Sequence, residues 1–129
     1  MKHIYRGAFL LVIGMASCKK EEEQQECASF SQSPVSWVSG RDTGFANLDT
    51  PIPVEYIGYD GCGRPGYFEA ETRGRITTVR AIGKYICAGC TQSTIRIRDT
   101  FHFKAADPGT YFLIFDTMRG YLADTVVVQ

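Results

Sequence analysis

The 129-residue sequence predicts an all-β domain, a sandwich or a barrel, and three observations carry that expectation. Apolar residues alternate with polar ones at period two in several short windows. Turn signals separate those windows at roughly 8–12-residue intervals. No window of helical spacing competes with them in length.

The elements follow in order. Ser33–Val38 (SPVSWV) is a first short strand, and Val54–Tyr59 (VEYIGY) a second, ended by Asp60-Gly61. From Gly66 to Thr72 the chain alternates, with Phe68, Ala70 and Thr72 on one face and Glu69 and Glu71 on the other. Gly74 interrupts, and Ile76–Ile82 resumes as β-branched strand. Ser93–Arg98 alternates again, Ile95 and Ile97 inward and Arg96 and Arg98 outward, with Phe101, Phe103 and Ala105 continuing across a bend. Asp107-Pro108-Gly109 is a turn. Tyr111–Phe115 is a buried strand and Leu122–Val128 the last one. That makes about seven antiparallel strands.

The stretch from Phe101-x-Phe103 through Asp107-Pro108-Gly109-Thr110-Tyr111 into an apolar strand resembles the E–F corner of immunoglobulin-like domains. The resemblance implies an immunoglobulin-like sandwich in which the Tyr111 hydroxyl bonds back across the corner. It departs from the family in one respect: no cysteine stands two residues after Tyr111. It speaks to architecture and not to activity.

The amino terminus reads differently. Lys2 and Arg6 precede an eight-residue apolar run, Ala8–Met15, which is too short to cross a bilayer. Basic head, apolar run and small residues are the layout of an export signal. Met15-Ala16-Ser17-Cys18 resembles the lipobox of bacterial lipoproteins, although Met15 stands where that family usually has leucine. The resemblance implies removal of residues 1–17, a lipid on the Cys18 sulfur and acylation of the new amino terminus. Two or more acyl chains make a stable anchor where one does not. The implied location is the outer membrane, on its periplasmic face or at the cell surface, and the membrane itself is the one partner this segment names. Lys19–Glu26 (KKEEEQQE) contains no apolar residue and is expected to be a solvated tether. Its Lys19-Lys20-Glu21-Glu22-Glu23 also resembles the acidic run that directs some lipoproteins to the cell surface. The expected organisation is signal 1–17, lipidated cysteine and tether 18–32, and sandwich 33–129.

After the tether, eight arginines and two lysines face seven aspartates and three glutamates. Such a balance gives nucleic acid no basic face. The four remaining cysteines, Cys27, Cys62, Cys87 and Cys90, are expected to meet at one pole of the sandwich. In an oxidising compartment they read as two structural disulfides, with connectivity open. A four-cysteine zinc site would use the single Cys-x2-Cys spacing, but Cys27 and Cys62 stand alone. Thiol–disulfide exchange at Cys87-Ala88-Gly89-Cys90 would need a lowered thiol pKa, and only Lys84 is near in sequence.

Catalytic constellations are thin. His102, between Phe101 and Phe103, is expected to face solvent. Glu69 and Glu71 stand about 7 Å apart on one strand face, near glycosidase spacing, yet such a pair is ordinarily just solvated. Asp42, Asp49, Asp116 and Asp124 lack calcium-loop spacing, and Gly61–Gly66 lacks the strand–helix context of a phosphate loop. No catalytic residue, metal or cofactor is assigned. Two binding surfaces are expected instead. Arg73, Arg75, Arg80, Arg96 and Arg98, on neighbouring strands, would form a basic strip for an anionic glycan, or else an outer face balanced by Glu69 and Glu71. Trp37 and the tyrosines would serve a sugar site or the core. The function expected is a non-catalytic, lipid-anchored envelope module, binding or structural, with an envelope-protein or glycan partner; the alternatives are a thiol–disulfide exchange partner using Cys87 and Cys90, and a glycan-binding accessory subunit of an outer-membrane system.

Overall fold

The computed structural model describes residues 27–86 and 89–129. Nine strands build it: β1 (Ala28–Ser33), β2 (Val35–Val38), β3 (Arg41–Gly44), β4 (Thr50–Gly58), β5 (Gly63–Arg73), β6 (Ile76–Ile86), β7 (Ile95–Phe103), β8 (Gly109–Asp116) and β9 (Tyr121–Val128). They form two sheets. The larger runs β1-β6-β8-β9-β3 with β5 also on β6, and the smaller is β2-β4-β7. The all-β sandwich expected from the periodicity is what the chain adopts.

β6 organises the large sheet. β5 lies along one of its edges from Ile76 to Tyr85, joined by a turn at Gly74, whose φ of 62° suits glycine. The other edge is shared: β1 pairs with Ala81–Ile86, and β8 pairs in parallel with Ile76–Val79. β3 also pairs in parallel, with β9. The expectation of a wholly antiparallel sandwich is therefore corrected at two places. Alternation decides which face of a strand is buried and leaves its neighbour's direction open. Here β7, in the other sheet, carries the chain back between β6 and β8, so those two run the same way.

The strand bounds also differ from the expected ones, each for a local reason. β1 takes residues 28–32 out of the expected tether, because its partner β6 is longer than its apolar pattern suggests. β3 is short and polar, and only its pairing with β9 makes it a strand. β4 begins at Thr50 despite Pro51 and Pro53. β2 reaches only to Val54, so both prolines sit where β4 has a neighbour, β7, on one side alone. β7 is continuous, with no bend before Phe101. β5 carries a bulge between Pro65 and Tyr67; a Cβ on Gly66 there would stand 2.2 Å from the Ile82 carbonyl oxygen.

Ile52, Val54, Tyr56, Ile97, Phe101 and Phe103 bury the inner face of the small sheet. They meet Val79, Ala81, Leu113, Phe115, Val126 and Val128 of the large one. An edge-to-face series runs between the sheets, Tyr56–Phe68 at 6.2 Å, Phe68–Phe101 at 5.5 Å and Phe101–Phe115 at 5.9 Å. This core fixes the small sheet's outer face, where β2, β4 and β7 turn their alternate side chains to solvent.

Candidate functional site

The outer face of β2-β4-β7 carries a groove of about 780 Å³. A bulge in β2 creates it. Val35 pairs with Tyr56 and Trp37 with Glu55, so Ser36 is the extra residue. Strict alternation from buried Val35 would turn Trp37 inward. The bulge instead brings Ser36 and Trp37 out together and returns Val38 towards the core, leaving Trp37 52% exposed.

Register then sets three rows across the sheet. Trp37 is opposite Glu55, and Glu55 is opposite Arg98. Ile57 with Arg96 makes the row on one side, and Pro53 with Thr100 the row on the other. Glu55 is the hub. Its side chain is only 15% exposed, with Arg96 Nε 3.7 Å from Oε1 and Arg98 Nε 3.4 Å from Oε2. Ser36 Oγ donates to the Glu55 carbonyl oxygen at 3.2 Å and reaches Oε1 at 3.4 Å. The arginine side chains are 75% and 86% exposed, so these ion pairs hold their orientation weakly and leave most of their N–H donors to solvent. Asp99, between Arg98 and Thr100, has the opposite parity and lies opposite the core residue Val54, so the outward charges of the groove are two arginines and one carboxylate.

The expected five-arginine strip is divided between two sheets. Arg96 and Arg98 belong to this groove, whereas Arg73 and Arg80 lie on β5 and β6. Arg73 Nη2 is 2.8 Å from Glu71, and Arg80 Nε is 3.7 Å from Glu69. Arg75 lies 5.2 Å over the Tyr111 ring. Alternation marks Arg96 and Arg98 as outward, and nothing along the chain says which arginines share a sheet. The same ion pairs assign Glu69 and Glu71 to separate arginine partners.

At the pole where β6 ends, the registers Ala28–Ile86 and Gly63–Tyr85 bring Cys27 and Cys62 to the same end of the sheet. Cys62 is disulfide-bonded to Cys90, with Cα atoms 5.5 Å apart, and Cys27 is disulfide-bonded as well. Cys18 and Cys87 lie outside the described residues. Asp60 Oδ1 accepts from the Cys62 amide at 2.8 Å and shapes the turn. Tyr59 stacks on Tyr85 at 3.7 Å beside it. Asp60 and the two sulfurs lie within 4.8 Å of one another, but sulfurs joined to each other offer no thiolate to a metal. Cys90, the second cysteine of the expected exchange pair, is thus bonded to Cys62.

Tyr111 Oη donates to the carbonyl oxygen of Asp107 at 2.7 Å, four residues back across the turn. His102 is exposed, its Nδ1 2.7 Å from Asp49 Oδ2.

Sequence reasoning missed two features. One is Glu55, whose role depends on its neighbours in the sheet. The other is Asp124, fully buried beside the Asp42 carboxyl of β3. Ser39 Oγ donates to Asp42 and lies 3.3 Å from Asp124 Oδ2, while Asp124 Oδ1 has no hydrogen-bond partner. Burial, and then the Asp42 carboxyl, push the Asp124 pKa up to about 7. A signal was available: Asp124 shares the parity of the inward residues Val126 and Val128.

Comparison with protein-family models, with curated proteins and with solved structures gives no match in any of the three.

Proposed function

We propose that this chain is a non-catalytic, lipid-anchored module of the bacterial cell envelope that binds its partner through the outer face of β2-β4-β7. The observation that carries the binding half is the Trp37–Glu55–Arg98 row: a large indole kept half out of the core by a bulge, beside two guanidiniums with donors to spare. Tryptophan and arginine are among the residue types most enriched at binding hot spots. The anchoring half rests on the export layout ending at Cys18 and on the lipobox resemblance. The lipid would hold the domain on a short charged tether at the outer membrane, on its periplasmic face or, if the Glu21–Glu23 run acts as the surface signal it resembles, at the cell surface.

The two halves are tested separately. Cells expressing the full chain are grown with a fatty-acid analogue. Label should enter the wild type and be lost in Cys18→Ala, which should also appear in the soluble fraction. A Cys18→Ala chain that stays membrane-bound at full length would end the anchoring proposal. For the binding face, a photoreactive residue at Ser36 should form an adduct in intact cells that one at Ser29, on β1, does not. Equal labelling at both positions would remove the case for this face. Protease added to intact cells distinguishes the cell surface from the periplasmic side.

A further inference from the structure

We infer that the pole where β1 begins seats on the headgroup layer of the membrane, through the outer face of β1, β6 and β5. The inference rests on the Cys18 anchor proposed above. Register builds this face in rows. Phe30, Lys84 and Arg64 stand side by side in one, and Gln32, Ile82 and Tyr67 in the next. Strict alternation from Arg64 would turn Tyr67 inward; the bulge after Pro65 brings it out opposite Ile82. Phe30 and Tyr67 are about half exposed, with ring centroids 5.6 Å apart. Ile82 is only 7% exposed, although it lies outside the core between the sheets. Two exposed rings and a covered isoleucine therefore make an apolar patch beside two cations. Neither row contains a carboxylate; Asp116, next to them, accepts from the Gln32 amide at 3.1 Å. Aromatic rings beside basic side chains, whose stems lie along apolar surface while their charged ends reach water, suit a headgroup layer.

The covalent path to the anchor says which surface this patch meets. Cys27 directly precedes Ala28, the first residue of β1, and Cys18 stands nine residues before Cys27. Nine residues span at most about 30 Å when fully extended. Phe30 is three residues beyond Cys27, so a lipid on Cys18 keeps the patch close to the bilayer. Two rings alone hold a membrane weakly. A short tether makes their contact intramolecular, at an effective concentration of about millimolar, and a weak contact is then populated. Charge does not drive it: Glu21, Glu22, Glu23 and Glu26 outnumber Lys19 and Lys20 and offset Lys84 and Arg64. The consequence is an orientation. The outer faces of two packed sheets look in opposite directions, so seating this one turns the Trp37 groove away from the lipid.

The lipidated full chain is placed in phosphatidylcholine vesicles whose acyl chains are brominated near the headgroup. The wild type reports on Trp37, the single tryptophan of the chain. Trp37→Phe with Phe30→Trp reports on the patch. Trp37→Phe with Phe112→Trp reports on an exposed ring of the same sheet, opposite Ile76 at the far end of β6. Bromine should cut emission from position 30 about twofold or more, because interfacial side chains lie about 5–10 Å into the headgroup and acyl boundary. Positions 37 and 112 should stay nearly unquenched, and Tyr67→Ser should weaken the quenching at position 30. Equal quenching at all three positions would overturn the seating, since the domain would have no preferred side. So would an unquenched position 30 in protein that carries lipid and floats with the vesicles, an outcome that leaves the anchor standing. Protection of position 30 from both bromine and acrylamide would mean that a second copy covers the patch, and overturns the seating as well. A chain that carries no lipid and fails to float removes the anchor and the seating together.

Discussion

Asp124, without solvent exposure on β9, lies against the carboxyl of Asp42 on the edge strand β3. Ser39 bridges the pair, and burial is the largest cause of the raised Asp124 pKa. Ionising both carboxyls would place two negative charges side by side, one of them dry. The docking of β3 onto β9 is thus coupled to a proton.

The sign of that coupling can be measured. Asp124 has a folded-state pKa of about 7 against an ordinary value of 3.8, so the folded chain holds a proton that the unfolded chain releases. Its stabilising contribution is complete below about pH 4 and is lost as pH rises through 7. Thermal denaturation between pH 5 and 8 should show stability falling with pH, and Asp124→Asn should flatten that slope and be the more stable protein at pH 8. A slope unchanged by Asp124→Asn would assign it to other groups.

Peptide mapping of the oxidised protein should recover Cys62 joined to Cys90, which are 28 residues apart. Cys27 is disulfide-bonded too, and since Cys62 and Cys90 are joined to each other and Cys18 is proposed to carry lipid, a Cys27–Cys87 peptide is the second expected. A loop of this size is worth about 3–4 kcal/mol in chain entropy, so reduction should lower the melting temperature by many degrees. A Cys87–Cys90 peptide would contradict this arrangement and revive exchange chemistry.

Leu113 is fully buried between the sheets. Leu113→Ala should cost roughly 2–5 kcal/mol, read from denaturant midpoints at constant slope. A loss below about 1 kcal/mol would mean that the two sheets do not close on it.

Tyr111→Phe removes the hydroxyl that reaches Asp107 and keeps the ring under Arg75. The expected cost is about 0.5–1.5 kcal/mol, the net worth of one hydrogen bond. Arg75→Ala in the Tyr111→Phe background should add a further, smaller loss, since the ring contact is independent of the hydroxyl.

Much of the sandwich can be read along the chain, because period-two patterning is a local property. It marks Val54 and Tyr56, Ile95 and Ile97, Leu113 and Phe115 as facing one way, and each of them packs inward. It marks Arg96 and Arg98 as outward, and they are. Composition restricts the charge, and the layout around Cys18 is likewise a matter of consecutive residues. What alternation leaves open is everything that depends on a partner strand. Arg73, Arg80, Arg96 and Arg98 look alike in sequence, yet two pair with Glu69 and Glu71 on the large sheet and two flank Glu55 on the small one. Trp37 has inward parity and points outward, because the bulge at Ser36 exists only against β4. Asp42 and Asp124 meet because the amino-terminal strand β3 joins the edge of the last strand. Cys90 has Cys87 three residues away and bonds to Cys62. Side-chain direction is decided within a strand, by the geometry of successive residues. Which charges, rings and sulfurs meet is decided between strands, where register, bulges and the choice of neighbour come from packing the whole core.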